Sequence, residues 1–332
     1  MLYTSCPHGT SSITRMLRLL LIALAAALLT ACGSVATLPA LPRAADRDGL
    51  AGQIWDVHAQ RPVTRDELMQ QTFEARFVLL GEIHNNADHH RIQHDVLKSL
   101  LAKGARPTLA MEQLDAEYQT AIDQALAAPG VSGDSVAAAG HFDRKSWGDA
   151  NYGPLIAIAV GAGLPIAAMN LSRGEARRVA SSGFTALGDG RSVTLQLDGT
   201  WNAAREATLR QEILDAHCGQ LPDSALPGMV MAQRARDAVM ADVLLNRTTG
   251  SAVAILGRGH ARNDVGVPLY LAQRMPRAKL VSIGLVEVDQ KLTSALDYFA
   301  ANTEGSHFDY VWLTTRAARG DPCAELRLPA VR

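Results

Sequence analysis

Short apolar runs that alternate with longer helical patterns are the feature that most constrains the fold of this chain. Each run is too short for a helix, and amphipathic stretches separate the runs. The runs lie at residues 77–80, 108–111, 165–169, 252–256 and 280–285. Alternation of this kind is typical of an α/β fold with a mainly parallel sheet flanked by helices. We therefore predict that fold class.

Further elements are predicted around this α/β unit. Residues 86–101 carry an apolar stripe of helical period, and Asn85 or Asn86 can cap the start of that helix. Residues 203–246 are rich in helical patterns, and we expect a helical insertion or subdomain that covers one end of the sheet. Residues 309–313 are predicted as a late edge strand. The α/β domain then spans 49–290, and 291–332 form a C-terminal extension.

The charge balance excludes one large class of partners. The 332 residues include 32 Lys+Arg and 33 Asp+Glu, which gives a formal net charge of -1. A chain without a basic excess lacks the electrostatic field that attracts nucleic acid. We therefore expect no nucleic-acid partner.

The amino terminus has the pattern of an export signal. Arg15 and Arg18 precede an apolar run over 19–31, which is shorter than the roughly 20 residues of a spanning helix and leads directly to Cys32. This pattern resembles a bacterial lipoprotein signal, which is cleaved before the cysteine. The resemblance implies a signal peptide over 1–31, a lipidated Cys32 and a tether over 32–48. Gly33 rather than Asp follows the cysteine, which favours the outer membrane.

Export bears on the two remaining cysteines of the mature chain. Cys218 and Cys323 can pair in an oxidising compartment. The sequence leaves open whether they pair or remain free thiols.

Polar residues follow three of the predicted strands. Glu82 and His84 follow the first run, Glu112 follows the second, and His260 follows the fourth. The carboxyl ends of parallel strands meet at one edge of the sheet, where ligand and catalytic sites gather. We call Glu82, His84, Glu112 and His260 the edge cluster. It forms either a binding or catalytic cleft or a satisfied hydrogen-bond network.

Three histidines follow closely on the first polar motif. His90 and His94 have the i, i+4 spacing of a metal clamp, but Arg91 stands where zinc proteases have glutamate. We therefore predict that these two histidines lie on a solvated helix face and bind no metal.

Aromatic and basic residues gather before the apolar helix predicted at 155–160. The stretch from 141 to 154 includes His141, Lys145, Trp147 and Tyr152, although aromatic residues make up only 5% of the chain. One interpretation is a helix entry packed by Trp147 and Tyr152. The other is a site for a flat apolar ligand under Tyr152, with basic groups facing its carboxylates.

These motifs, taken in order, resemble the ChaN family of haem-binding lipoproteins. The resemblance rests on residues 81–93, on Met111-Glu112, on 147–154 and on 257–260, and it extends from about residue 49 to 285. It implies a haem-uptake accessory protein that could work with an outer-membrane haem receptor. It also implies a homodimer that encloses haem.

The resemblance further implies roles for single residues. Tyr152 corresponds to an axial tyrosine that lies in an exposed loop and binds ferric iron as the phenolate. His141 and Lys145 are the candidates for the haem propionates, and Trp147 belongs to the same motif. Composition and spacing by themselves do not indicate haem.

The Gly-Glu-x-His start is also similar to a wider superfamily. That superfamily includes erythromycin-esterase-like hydrolases and Tiki/TraB-type proteins, in which these residues belong to an active or metal site. The alternative function is therefore a hydrolase or metalloenzyme that uses Glu82, His84, Glu112 and His260.

Overall fold

A computed structural model describes residues 49–199, 201–300, 303–320 and 322–325 of this protein. The expected signal peptide, Cys32 and the tether lie outside these residues. Within them, no helix combines the length and apolar character needed to cross a membrane.

The described residues form one eight-stranded sheet with helices between the strands. The strands are β1 Ile54–Asp56, β2 Arg61–Val63, β3 Phe77–Glu82, β4 Thr108–Asp115, β5 Ile166–Asn170, β6 Ala252–Gly257, β7 Leu280–Glu287 and β8 Tyr310–Thr314. The helices are α1 Arg65–Glu74, α2 Ala87–Ala102, α3 Gln119–Ala127, α4 Gly133–Ala139, α5 Arg144–Trp147, α6 Asp149–Gly161, α7 Arg173–Ser182, α8 Arg191–Thr194, α9 Ala203–Ala216, α10 Leu226–Arg247, α11 Val267–Arg274 and α12 Pro322–Glu325.

The sheet order is β2-β1-β8-β7-β3-β6-β4-β5. All neighbours from β8 to β5 pair in parallel, whereas β1 pairs antiparallel with both β2 and β8. The predicted α/β class with a mainly parallel sheet is therefore confirmed. Because β6 lies between β3 and β4, the carboxyl ends of these three strands are adjacent.

The central strands are buried on both faces, which explains their continuous apolar sequences. Val78 and Leu80 of β3 share one core with Val96 of α2 and Leu155 of α6. The alternate residue Leu79 belongs to the core on the opposite face, together with residues of α7, α10 and α11. Successive side chains of a strand point to opposite faces, so β3 is covered by a helical layer on each side.

Helix α2 begins as the sequence predicts. The side chain of Asn86 accepts hydrogen bonds from the backbone N–H groups of Asp88 at 2.8 Å and His89 at 3.3 Å. Such a cap satisfies donors that have no partner within the helix. The cap fixes the direction in which α2 leaves the end of β3.

The predicted helical insertion has a different place from the one expected. Ala238 and Val239 of α10 belong to the same core as Leu79 of β3, so α10 covers a face of the sheet and not one end. Leu209 and Ile213 of α9 form a smaller separate core with the first turns of α10. Helix α10 therefore belongs to one of the two helical layers that cover the sheet.

The predicted late edge strand is wrong in its position. Strand β8 is internal, because it pairs with β7 on one side and with β1 on the other. Strands β1 and β2 have only three residues each, too few for a clear period-2 pattern. The sheet therefore continues beyond the predicted boundary at residue 290.

The two cysteines that the sequence left open form a disulfide. Cys218 lies in the connection between α9 and α10, and Cys323 lies in α12, with their Cα atoms 5.6 Å apart. The bond closes a sequence separation of 105 residues. It links the segment after β8 to the helical layer.

Candidate functional site

The carboxyl ends of β3, β6 and β4 bring the edge cluster together. Glu82 ends β3 and lies opposite Gly257, which ends β6. Glu112 lies in β4 on the other side of β6. His84 and His260 lie in the turns that follow β3 and β6. The predicted convergence of these four residues is therefore found in the structure.

Glu82 is a buried carboxylate with several hydrogen-bond donors around it. Its Oε1 lies 2.9 Å from Nδ1 of His84 and accepts the hydroxyl hydrogen of Tyr152. Its Oε2 accepts a hydrogen bond of 2.5 Å from Nε2 of Gln93 and lies 3.3 Å from Nδ1 of His90. These contacts fix the direction of the carboxylate.

The same contacts determine the charge of Glu82. Burial raises the pKa of Glu82, but the hydrogen bonds from His84 and His90 outweigh burial and bring this pKa to about 2. Burial lowers the pKa of His84, but its hydrogen bond to Glu82 and the charges of Glu112 and Glu82 produce a net increase. Glu82 is therefore ionised at neutral pH, and His84 is biased toward the protonated form.

A second acid–imidazole group lies on the other face of the sheet edge. The backbone N–H of Gly257 donates a 2.6 Å hydrogen bond to Oε2 of Glu112, and Oε1 of Glu112 lies 3.5 Å from Nε2 of His260. The other ring nitrogen of His260 lies 2.6 Å from Oδ1 of Asp237, in the middle of α10. His260 is thus held between two carboxylates.

Those two carboxylates hold the proton on His260. Burial lowers the pKa of His260, but the charges of Glu112 and Asp237 outweigh it and raise this pKa to about 9. Burial raises the pKa of Asp237 to about 6, against the opposing charge of His260. An imidazolium and a carboxylate therefore form a buried ion pair at neutral pH.

The Glu82–His84 pair and the Glu112–His260 pair meet beside Gly257. A Cβ atom at Gly257 would lie 3.1 Å from Nε2 of His84 and 3.5 Å from Oε2 of Glu112. The space beside the Cα of Gly257 is therefore lined by an imidazole and a carboxylate. Such a pair can donate and accept protons.

Tyr152 does not have the environment that the sequence analysis expected. It lies within α6, it is 0% exposed, and its hydroxyl donates to Glu82. Burial and the charge of Glu82 raise its pKa far above the ordinary value for a phenol. The expectation that Tyr152 lies in an exposed loop is therefore wrong, because its ring is buried in α6 and its hydroxyl donates to a buried carboxylate.

The other residues of the motif lie nearer to solvent. His141 and Lys145 are exposed, and Trp147 is partly buried. The indole ring of Trp147 packs edge-on against His84, with ring centroids 4.8 Å apart. Trp147 therefore links this exposed segment to the edge cluster. We call residues 141–147 the surface segment.

His141 occupies an unusual backbone position. Helix α4 ends with hydrogen bonds from the N–H of His141 to the carbonyl of Ala138 at 3.1 Å and from the N–H of Phe142 to the carbonyl of Ala137 at 2.9 Å. This is a Schellman ending, in which His141 takes the left-handed place that glycine usually takes, with φ of 50°. The left-handed conformation costs a non-glycine residue roughly 1–2 kcal/mol.

The prediction that His90 and His94 lie on a solvated face of α2 is also wrong. His90 and its neighbour His89 are buried, and His94 is partly buried. His89 accepts a hydrogen bond from the N–H of Ile83, and a ring nitrogen of His90 lies 2.9 Å from the carbonyl oxygen of His84. His94 contacts the carbonyl oxygen of Asn151 instead of pairing with His90. Among residues whose placement is described, no group of His, Cys, Asp or Glu is arranged to hold a metal ion.

Three further residues of this region were not predicted from the sequence. Asp237 and Gln93 contact the edge cluster, and Tyr118 stacks on His141 with ring centroids 4.1 Å apart. A carboxylate on the buried face of α10 was the available signal for Asp237, and the placement of Gln93 in the apolar stripe of α2 was the signal for that residue. Tyr118 gave no signal of its own.

Comparison with known proteins assigns the fold to a family. A family model described as haem-binding uptake, Tiki superfamily, ChaN, matches residues 68–271. The chain belongs to this family. The matched region of this ChaN-family chain contains β3, β4, β6, the edge cluster and the surface segment. Among curated proteins, none matches the sequence significantly.

Solved structures similar to this chain differ in how closely they match it. ChaN of Campylobacter jejuni, whose structure is described as showing cofacial heme binding, is 21% identical to this chain. The two structures have a TM-score of 0.63, with 78% of this chain and 95% of that chain covered. An erythromycin esterase EreC mutant has 13% identity and a TM-score of 0.41, with 80% and 83% covered. RRSP, a toxin effector domain from Vibrio vulnificus, has 16% identity and a TM-score of 0.40, with 75% and 42% covered. The first of these shares the fold of the ChaN-family chain.

Proposed function

We propose that this chain binds haem and assists haem or iron uptake at the bacterial cell surface. The observation that carries this proposal is the match of residues 68–271 to the haem-binding ChaN family. The fold has the same architecture as ChaN of Campylobacter jejuni. That protein is described as binding haem cofacially, and we extend haem binding to this chain.

The surface segment has side chains that fit haem. Haem presents an iron atom that takes a nitrogen, oxygen or sulfur ligand, and two carboxylates that attract cations. His141 and Lys145 offer an imidazole and an ammonium group at the surface, and Trp147 offers an aromatic face beside them. Tyr152 does not fit as an iron ligand, since it is buried and its hydroxyl donates to Glu82.

The proposal includes a lipid anchor and a homodimer. Arg15, Arg18, the apolar run over 19–31 and Cys32 occur in the order of a lipoprotein signal, which supports an anchor in the outer membrane.

A flat cofactor bound at a surface segment leaves one apolar face uncovered. A second copy of the chain would cover that face, and haem would then favour the dimer by mass action. A haem receptor in the same membrane is the expected partner.

Titration with hemin tests haem binding directly. The mature chain, purified in detergent, is titrated with hemin while the absorbance near the Soret band is followed. We expect a saturable spectral change with a fixed ratio of haem to protein. A change that grows without saturation, as with detergent alone, would contradict the proposal.

A second candidate function is hydrolysis. The observation in its favour is that His84 and Glu112 both lie beside Gly257, where a Cβ atom would be 3.1 Å from Nε2 of His84 and 3.5 Å from Oε2 of Glu112. An imidazole and a carboxylate in that position can serve as general acid and base. The test is an ester and peptide panel, with and without divalent metal. Turnover lost in Glu82→Gln and His84→Ala, with folding intact, would favour the enzyme over the haem carrier.

A further inference from the structure

A cavity of about 330 Å³ opens at the carboxyl edge of the sheet, beyond the ends of β3, β7 and β8. Ligand sites of parallel sheets gather at this edge, and their cavities usually measure about 300–1,000 Å³. We call this space the β7 cavity. No residue of the surface segment lines it, so it is distinct from the site proposed for haem. Its volume fits a small ligand.

The chain after β8 forms a cationic wall of the β7 cavity. Arg316 and Arg319 line it, and Arg319 donates hydrogen bonds of 2.7 and 2.6 Å to the carboxylate of Glu287 at the end of β7. The N–H of Ala317 donates to the same carboxylate at 3.0 Å, and the disulfide of Cys323 follows four residues beyond Arg319. These bonds hold the wall in place.

The connection from β7 to β8 forms an anionic wall. Asp289, Asp297 and Glu304 of this connection line the cavity. Glu304 pairs with Arg258, which follows β6. The side chains of Asp289 and Asp297 accept hydrogen bonds from backbone N–H groups, but neither forms an ion pair in the described part of the chain.

The ion pairs of the lining therefore leave charges of both signs uncompensated. Among the residues that the structure describes, the exposed Arg316 has no hydrogen-bond or ion-pair partner. It carries one positive charge, whereas Asp289 and Asp297 carry two negative charges. The aliphatic side chains of the lining are Ile83, Val288 and Leu292. A complementary ligand has an anionic group, a cationic group and an apolar part.

We propose that the β7 cavity binds a small zwitterion of the amino-acid type, as a free amino acid or a short peptide. Arg316 takes its carboxylate, since a guanidinium can bind a carboxylate with two hydrogen bonds. Asp289 and Asp297 take its ammonium group, and its side chain lies against the aliphatic part of the lining. Ile83 lies between two residues of the edge cluster, so the ligand lies beside that cluster. This site does not depend on haem binding.

Calorimetric titration tests the class of ligand. The mature chain in detergent is titrated with L-leucine and with L-leucyl-L-leucine, and we expect saturable binding. Tighter binding of leucine assigns free amino acids, and tighter binding of the dipeptide assigns short peptides. The N-acetyl analogue of the tighter ligand lacks the ammonium group, and its amide lacks the carboxylate. Each analogue should bind at least about tenfold more weakly.

The variant Arg316→Gln locates the carboxylate. Because Arg316 is exposed at the rim of the cavity, the fold should be retained. The affinity for the tighter ligand should fall by about tenfold, whereas the affinity for its amide should not change, since the amide has no carboxylate to lose. Arg106→Gln is the matched control. Arg106 is also exposed, but it precedes β4 and lies at the opposite edge of the sheet.

The variant Asp289→Asn/Asp297→Asn locates the ammonium group. Asparagine keeps a side-chain oxygen for the backbone donors and removes both charges. The affinity for the tighter ligand should again fall by about tenfold, whereas the affinity for its N-acetyl analogue should not. The control is the exposed Asp189→Asn, which lies outside the lining.

Three results would overturn the proposal. The first is the absence of saturable binding of both leucine and the dipeptide to the wild type. The second is equal affinity for the tighter ligand and for its amide or N-acetyl analogue. The third is wild-type affinity for the tighter ligand in Arg316→Gln.

Discussion

The hydroxyl of Tyr152 donates a hydrogen bond to Oε1 of Glu82, and both residues are almost completely enclosed, at 0% and 2% exposure. The bond joins α6 to the carboxyl end of β3. Because Glu82 also contacts His84, Tyr152 contributes to the position of the imidazole beside Gly257. Its role in this structure is to support the edge cluster.

Replacement of Tyr152 by phenylalanine tests that role. Tyr152→Phe keeps the ring and leaves a buried carboxylate with one donor fewer, so the free energy of unfolding should fall by about 1–3 kcal/mol. Tyr310→Phe is a suitable control, since Tyr310 is only partly buried. Denaturant unfolding measures both variants. An iron-bound Tyr152 would instead predict loss of the wild-type haem spectrum in Tyr152→Phe.

Acid should weaken the fold through Glu82. The pKa of Glu82 is lowered from 4.5 to about 2 in the folded chain, so its stabilisation is present above pH 4.5 and is lost as the pH falls toward 2. The loss should be about 3 kcal/mol. Unfolding measured between pH 6 and 2 should show a smaller loss in Glu82→Gln. The exposed Glu117→Gln should retain the wild-type slope, and an equal slope in Glu82→Gln would refute the assignment.

His260 should have the opposite pH dependence. Its pKa is raised from 6.5 to about 9, so the stabilisation is complete below pH 6.5 and disappears as the pH rises through 9. The wild type should lose about 3 kcal/mol of unfolding free energy over this window. His260→Gln has no charge to lose and should show a flatter profile. A profile in His260→Gln that matches the wild type would show that another group titrates there.

Gly257 should tolerate no side chain without movement of the edge cluster. In Gly257→Ala the new methyl group would lie 3.1 Å from Nε2 of His84, so the ring must shift by a few tenths of an ångström. The nitrogen chemical shifts of His84 should change while the fold is retained. Gly161→Ala, where a Cβ would meet nothing within 4 Å, is the control. Unchanged chemical shifts of His84 in Gly257→Ala would mean that the space between Gly257 and His84 is larger than the structure shows.

Local patterns were sufficient for the six longer strands, β3 to β8, and for one helix cap. The apolar run at 77–80 and the polar residues after it predicted β3 and its functional edge, and Asn86 caps α2 as expected. Parallel pairing then brings strand ends together, so the convergence of Glu82 and Glu112 followed from the fold class.

Contacts between distant parts of the chain could not be predicted in this way. His89 is buried because its ring bonds to Thr314, which is 225 residues away in the sequence. Tyr152 was expected in a loop before the apolar helix at 155–160, yet α6 begins at Asp149 and continues through Pro154 despite the poor helix propensity of proline. The apolar contacts of α6 with the sheet outweigh these local preferences.

Sedimentation with hemin tests the central claim most directly. The mature chain in detergent is sedimented with and without hemin, and absorbance is recorded for protein and for haem in the same run. We predict that haem moves with the protein and that the sedimenting species has the mass of two chains. Haem that remains separate from the protein at every concentration tested would contradict haem binding by this chain.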